Sequence, residues 1–298
     1  MAITNGREEA ADGDPQLREV TAWVRPETRF PVPQSDGYSV YSALLSVLSN
    51  VNENVGQSVH DSSLGSLHCS GLLGTFGGSD RPHHKSLLPS ETYELSLGIV
   101  HPDDAEVFQA LVNALVLQDD TIELSHGQLH VDRFESESTT HAALLNRANT
   151  CNNPTIEMEF RAPTCIEEAG SVTTAFPHRW PVFNSLAGKW NNSCPDELEI
   201  ELNRETVLES VIEKPHVPGY KNGYEYETHS VLVNRVDGED GENQNIIRQG
   251  FTGICEYEFK NASESVENAV TALALFGAYS GVGSAVARGC GSVEVKIE

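Results

Sequence analysis

Apolar and polar residues alternate along the first half of the chain in short runs of strand-like or helix-like period. The period-2 and period-3.6 patterns predict strands at 17–24, 67–73, 91–100 and 128–134, and helices at 36–52 and 105–117. Asp36 precedes the first helical stripe as its N-cap. The resulting order, βαββαβ, is typical of a ferredoxin-like domain.

The pattern restarts after a polar stretch at 135–153, where we place a domain boundary. Strands are predicted at 155–162, 205–213, 224–236 and 248–259, a helix at 181–190, and a last strand carrying Val293, Val295 and Ile297. A capping box at Asn261–Glu264 introduces a second helix. We therefore predict an α+β protein with tandem ferredoxin-like (RRM-like) domains at 17–150 and 151–298, after a disordered leader at 1–16. Sheets of this kind commonly bind single-stranded RNA.

Two Gly-x-Gly pairs, at 281–283 and 289–291, enclose five residues between the last helix and the last strand. Glycines this dense indicate backbone with positive φ, or N–H groups that approach an anion closely. Position 286 is valine and a helix precedes the loop, so it is not a dinucleotide fingerprint. No Gly-Lys-Ser/Thr follows, so it is not a Walker loop either. The pattern favours a loop that binds phosphate groups.

The net charge of the chain bears on whether this loop can bind a nucleic acid. The chain has 44 acidic and 19 basic residues and a net charge of −25, and its acids are dispersed. Such a surface repels nucleic acid at ordinary ionic strength, but screening at molar salt acts within about 3 Å. Dispersed acid with few lysines is typical of proteins from salt-loving organisms. The polar N-terminus and the lack of a long apolar run favour a cytoplasmic protein without a membrane partner. Its six scattered cysteines do not indicate a zinc ribbon.

The residues around the loop carry a family resemblance. Residues 276–283 (FGAYSGVG) and 288–295 (RGCGSVEV) closely resemble the C-terminal signature of the CRISPR-associated repeat-processing endoribonucleases of the RAMP superfamily, here as a haloarchaeal-type member. Weaker similarity to the same family lies at 38–45, 59–61, 176–190 and 250–257. The resemblance covers residues 17–298.

This resemblance implies a metal-independent endoribonuclease that cuts CRISPR precursor RNA within its repeats, without a cofactor. His60 matches the family's catalytic position, and histidine suits proton transfer near neutral pH. The RNA-binding residues that we predict are Gly281, Gly283, Ser284, Arg288, Gly289 and Gly291, followed by Arg179 and Lys189. The expected partners are CRISPR repeat RNA and other CRISPR-associated proteins. The alternative is a non-catalytic RAMP subunit that binds or caps guide RNA.

Other histidines leave alternatives open. Some family members add a tyrosine and a lysine to the catalytic histidine. Residues 62–67, which follow His60 and Asp61, contain no lysine here, and His68 is the main rival of His60 as the catalytic residue. His60-Asp61 also fits a metal-dependent phosphohydrolase, but that fold is all-helical. His126 and His130 would lie about 13 Å apart on a strand, too far for one zinc ion. Residues 81–85 (RPHHK) form a local basic RNA contact or a mobile loop.

Overall fold

The computed structural model describes residues 16–51, 67–101, 109–110, 112–117, 121–169, 172–215, 226–237 and 243–298. The strands of the first half are β1 Gln16–Pro26, β2 Phe30–Pro33, β3 Leu67–Cys69, β4 Gly77–Gly78, β5 His84–Leu87, β6 Tyr93–Ile99, β7 Ile122–Leu124 and β8 Gly127–Thr140. Helix α1 is Gly37–Val51, Asn113–Leu117 is a π-helical turn, and α2 is His141–Asn149.

The second half contains seven strands and three α-helices among the residues described. The strands are β9 Ile156–Thr164, β10 Ile166–Ala169, β11 Val172–Thr174, β12 Val211–Pro215, β13 Tyr226–Asp237, β14 Asn243–Phe259 and β15 Val293–Ile297. The helices are α3 Arg179–Asn191, α4 Arg204–Ser210 and α5 Glu264–Ser280. No helix in these ranges is long and apolar enough to cross a membrane.

Two antiparallel sheets dominate the fold. The first has the order β3-β6-β1-β8-β7, and the second the order β12-β14-β9-β15, with β13 paired to the long first half of β14. In each, the first strand of its βαββαβ unit lies between the third and the fourth, which is the ferredoxin-like order. The predicted fold class is therefore confirmed. A small sheet, β2-β5-β4, lies beside these two sheets, and its strand β5 includes His84 and Lys85 of the basic segment 81–85.

The two hydrophobic cores share residues across the halves of the chain. The first core lies between its sheet and α1, yet it includes Ala287 from the glycine-rich segment near the C-terminus. The second core packs α3, α5 and α2 on the other sheet, and it includes Leu17 and Val100 from the first half. A Cβ on Gly98 would overlap the carbonyl group of Tyr279, so the end of α5 lies directly on the first sheet. The two halves are therefore closely packed.

The polar stretch 135–153 is more regular than its composition indicates. Strand β8 continues to Thr140, whose hydroxyl accepts a hydrogen bond from the amide of Ala143 (3.1 Å) and so caps α2. Leu144 and Ala148 of this helix are buried in the second core. Two core positions one turn apart are too narrow a stripe to predict a helix from sequence.

The predicted strand 205–213 is wrong over most of its length. The Asn203 side chain accepts a hydrogen bond from the amide of Thr206 (3.0 Å) and starts α4, and the strand β12 begins only at Val211. The N-cap of α5 is Ser263 rather than Asn261, which has a positive φ of 56°. Short capped helices are decided by such local hydrogen bonds more than by periodicity.

Candidate nucleic-acid interface

The glycine loop, residues 281–291, connects α5 to β15 and has an unusual backbone. Gly281, Gly283, Gly289 and Gly291 have φ values of 61°, 81°, 81° and 74°, and Ala285 has a φ of 57°. Side chains disfavour this left-handed region, and glycine adopts it without steric cost. The prediction that these glycines provide positive φ is confirmed.

Close approach by neighbouring backbone is the second reason for glycine here. A Cβ on Gly289 would overlap the Cα of Gly37 at the start of α1, and a Cβ on Gly283 would overlap the carbonyl group of Cys165. A Cβ on Gly281 would lie 2.7 Å from Cδ2 of His68. Gly281, Gly289 and Gly291 are buried, so these three glycines position the loop against the rest of the protein.

Lys189 forms hydrogen bonds to the backbone at the start of the glycine loop. Its ammonium group donates to the carbonyl oxygens of Ser280 (3.1 Å) and Gly281 (2.8 Å), at the C-terminal end of α5. Burial lowers the pKa of Lys189 to about 7. In this conformation its donors face the protein rather than solvent, and its role as an RNA contact stays a prediction.

Ser284 and its neighbours form the accessible part of the loop. The Ser284 amide and hydroxyl both donate to the carbonyl oxygen of Cys165, at 2.7 and 2.9 Å. The same hydroxyl accepts a hydrogen bond from Arg248 of β14, which is also ion-paired with Glu167 (2.7 Å). Sequence reasoning missed Arg248, because only the pairing of β14 with its neighbours brings it to the loop.

Arg288 and Arg235 lie beside the N-terminal half of α1. Arg288 donates to the carbonyl oxygen of Val233 on β13 (2.9 Å), and its guanidinium carbon lies 5.8 Å from the centre of the Tyr41 ring. Arg235 lies 5.9 Å from the ring centre of Tyr38. Neither arginine is ion-paired with a carboxylate among the described residues. We call Arg235, Arg248 and Arg288 the arginine row.

Arg179 belongs to a different neighbourhood. It is ion-paired with Glu213 of β12 and donates to the carbonyl oxygen of Leu208 in α4 (2.9 Å). The Arg179 ion pair and its hydrogen bonds lower the pKa of Glu213, although burial acts in the opposite direction. Of the predicted RNA contacts, the structure thus places Ser284 and Arg288 near Arg248 and Val233 on the second sheet, whereas Arg179 is ion-paired with Glu213 beside α3.

His60 and Asp61 lie outside the described residues. The described chain stops at Val51, the last residue of α1, and resumes at Leu67, the first residue of β3. His68, the rival candidate, is buried against Gly281 and its two ring nitrogens have no hydrogen-bond partner. Burial lowers the pKa of His68 to about 3, so its ring is neutral and closed off from a substrate.

The remaining histidines do not converge on a metal-binding geometry. His126 lies in the turn before β8 and contacts Arg81, while His130 lies on β8, 3.3 Å from a carboxylate oxygen of Glu27. Within the described ranges, no three histidine, cysteine or carboxylate side chains are grouped so that they could hold a metal ion.

The part of the chain that contains the glycine loop is similar to a known protein family. Residues 158–293, which include the whole glycine loop, match the family model described as CRISPR-associated endoribonuclease Cas6. No curated protein matches the sequence.

Solved structures resemble the entire chain. Cas6 from Thermus thermophilus, in a product complex, has a TM-score of 0.63 at 17% identity, with 95% of this chain and 100% of that chain covered. A RAMP protein binding different RNA substrates and a Cas6-related protein from Pyrococcus furiosus each have a TM-score of 0.57 at 11% identity. Both cover 94% of this chain, and 99% and 98% of their own lengths. The fold of the chain is thus that of Cas6 and RAMP structures, and within it residues 158–293 are similar to the family of CRISPR-associated Cas6 endoribonucleases.

Proposed function

We propose that this protein is an endoribonuclease that cuts CRISPR precursor RNA within its repeats to produce guide RNAs. The observation that carries the proposal is the Cas6 family match over residues 158–293, since it contains the glycine loop and most of the second sheet. The likeness to a Cas6 product complex over almost the whole chain supports the same reading. Other CRISPR-associated proteins are the expected partners after cleavage.

The proposed reaction uses the RNA's own 2′-hydroxyl group as nucleophile and needs no metal ion. Its oxygen attacks the adjacent phosphorus while a base accepts its proton, and the bond from phosphorus to the 5′ oxygen breaks while an acid protonates that oxygen. The products are a 2′,3′-cyclic phosphate and a 5′-hydroxyl end. His60 serves as one of the two proton-transfer groups. Donors near the phosphate stabilise the charge that develops on it.

The position of the glycine loop supports this assignment of His60. Gly281 lies against His68, one residue after the start of β3, and Ala287 packs in the first core with α1. The loop therefore contacts both elements that bound residues 52–66, the segment containing His60. Arginines suit the RNA backbone because the planar guanidinium group can donate two parallel hydrogen bonds to a phosphate. We assign this contact to Arg288, Arg248 and the partly exposed edge of the loop around Ser284.

The first experiment replaces the catalytic candidate. His60→Ala should lower the rate of repeat cleavage by roughly 10²-fold or more while repeat RNA is still bound, because a proton-transfer group is lost and the binding surface is kept. Gel mapping of product ends and a filter-binding assay measure the two quantities. His130→Ala, a partly exposed histidine on β8, is the matched control and should cleave normally. Wild-type cleavage should also persist in excess EDTA.

Cleavage by His60→Ala at the wild-type rate would remove His60 from the mechanism, and loss of wild-type cleavage in EDTA would indicate a metal-dependent reaction. The second candidate function is a RAMP subunit that binds guide RNA without cutting it. It is favoured by the likeness to a RAMP protein binding different RNA substrates. Binding of repeat RNA by the wild-type protein without any cleavage would establish this second function instead.

A further inference from the structure

A groove runs along the solvent-facing side of α1, next to the arginine row but separate from the glycine loop. It has a volume of about 440 Å³ and is open to solvent. Its principal polar and aromatic lining residues are Tyr38, Ser42, Ser46, His84, His126 and Arg235. We call it the α1 groove. Strands β2 and β5, the end of β7 with the β7–β8 turn, and Arg235 of β13 complete its lining around α1.

The floor of the α1 groove is a helix face that the core does not use. Ser42 and Ser46 are exposed, and their hydroxyls donate to the carbonyl oxygens of Tyr38 (2.9 Å) and Ser42 (3.0 Å) within the helix. Leu44 and Leu48 of the same helix are buried in the first core. Small hydroxyl side chains leave the groove open, and their oxygen atoms remain available as acceptors.

Positive charge and hydrogen-bond donors gather at the rim of the groove. Arg235 projects over Tyr38 on one side, and on the other side Arg81 contacts His126. His84 contributes a ring whose Nδ1 is 2.8 Å from the carbonyl oxygen of Pro82. For a chain with a net charge of −25, this is an unusual local balance. It is complementary to an anionic group such as a phosphodiester rather than to a cationic partner.

Two further charged groups near the groove are already engaged. Glu123 is the carboxylate that lines it, and this carboxylate accepts a hydrogen bond from the side chain of Gln128 (3.0 Å). Lys85 is ion-paired with the buried Asp36 (2.9 Å). Lys85 and Asp36 offset each other, whereas Glu123 keeps its negative charge. The two arginines Arg81 and Arg235 exceed this single carboxylate, so a small excess of positive charge remains at the groove.

The dimensions favour a single strand over a duplex. A volume of about 440 Å³ lies in the range of small-molecule sites and accommodates a nucleotide or two. The Tyr38 ring offers a surface on which a base can stack, and Pro31 and Pro33 offer apolar contact opposite it. Arg235 lines the groove and also belongs to the arginine row, so an RNA strand that leaves the glycine loop meets the groove next.

We propose that the α1 groove binds an unpaired segment of the substrate RNA. The RNA backbone lies near Arg235, His84 and His126, and one base stacks on Tyr38. This inference rests on the proposed function, since it assigns part of the same substrate to a second surface. The proposed subsite increases the affinity for RNA and the length of RNA that is bound, and it takes no part in the cleavage chemistry.

The test places negative charge on the groove floor. The RNA in this test carries a 2′-deoxy nucleotide at the mapped cleavage position, so that it is bound but not cut. At fixed salt, the double variant Ser42→Glu/Ser46→Glu should bind this repeat RNA at least tenfold more weakly than the wild type. Asn146→Glu/Ser265→Glu adds the same charge at two exposed helix positions in α2 and α5 and should bind normally. Removing the unpaired nucleotides flanking the repeat should abolish the difference between the two double variants.

Arg235→Gln provides a second variant whose small change does not threaten folding, and its affinity should fall severalfold. Melting curves confirm that each variant is folded. Equal affinity of both double variants and of Arg235→Gln would overturn the subsite while wild-type cleavage leaves the proposed function standing. A wild-type protein that neither binds nor cuts repeat RNA would overturn the proposed function and the subsite together.

Discussion

Glu19 is held in an environment that resists its negative charge. It lies on β1 directly opposite Glu137 of β8, with Glu94 of β6 nearby. Burial, followed by these two carboxylates, raises the pKa of Glu19 to about 7, and Arg161 offsets only part of the effect. Arg161 itself binds both carboxylate oxygens of Glu94, at 2.7 and 3.0 Å, and so joins β9 to the first sheet. Protonation of Glu19 therefore relieves carboxylate repulsion beside this contact between the halves of the chain.

Replacing Glu19 should change how stability depends on pH. The pKa of Glu19 is higher in the folded protein than in the unfolded chain, so its favourable contribution is complete below about pH 4.5 and is lost as pH rises through about 7. Glu19→Gln should raise the free energy of unfolding at pH 8 by up to roughly 3 kcal/mol, and much less at pH 5. Urea unfolding at the two pH values measures the difference.

Glu201→Gln is the control, because it removes the same charge from an exposed site. It distinguishes the effect of the buried surroundings of Glu19 from the effect of lowering the net charge. An equal gain at pH 8 in both variants would attribute the effect to the overall charge of −25 rather than to the surroundings of Glu19.

At the scale of elements, the position of the glycine loop depends on close backbone contacts, one of which joins Gly289 to Gly37. Gly289→Ala would place a methyl group against Gly37 of α1 at a φ of 81°. A left-handed conformation alone costs an alanine about 1–2 kcal/mol, and the overlap adds to this. We expect a clear fall in melting temperature and, because the loop shifts, weaker binding of repeat RNA.

Gly188→Ala is the matched control for this substitution. A Cβ on Gly188 of α3 meets no atom within 4 Å, and alanine is favoured over glycine in a helix by roughly 0.5–1 kcal/mol. Calorimetry should show stabilisation by Gly188→Ala and destabilisation by Gly289→Ala. Similar melting temperatures for the two variants would show that the contact between Gly289 and Gly37 is not tight in solution.

Elements with a long, regular apolar pattern were predictable from sequence, and those decided by a single hydrogen bond were not. The stripes of α1 and α5 and the alternation of β15 are confirmed, whereas α4 begins where the Asn203 side chain caps it. In the candidate site, the glycines and Arg288 were visible as a motif. Arg248 and Arg235 were not, because strand pairing between distant segments brings them to the loop and to α1.

At the scale of the whole molecule, 44 acidic residues against 19 basic ones make self-repulsion a general property of the folded state. Raising KCl from 0.1 to 2 M shortens the screening length from about 10 Å to below 3 Å and should raise the melting temperature. The physical reason is that repulsion between dispersed carboxylates weakens as salt screens it. Differential scanning calorimetry across the series measures the shift.

Choline chloride at the same ionic strength is the control, since it screens charge without a small cation. A similar rise in both salts would assign the effect to screening, and a rise in KCl alone would assign it to specific cation binding. A melting temperature that falls with salt would contradict the prediction of a salt-adapted surface.

The placement of Ala287 in the first core has a consequence for how the protein is made. Gly37 and α1 leave the ribosome long before Ala287 and Gly289, the residues of the glycine loop that pack on them. Domains generally fold in the order of their synthesis. The N-terminal half therefore keeps part of its core exposed during synthesis until the glycine loop has emerged from the ribosome. We expect the partly synthesised chain to bind chaperones, and α1 to become covered only once residues 281–291 are available.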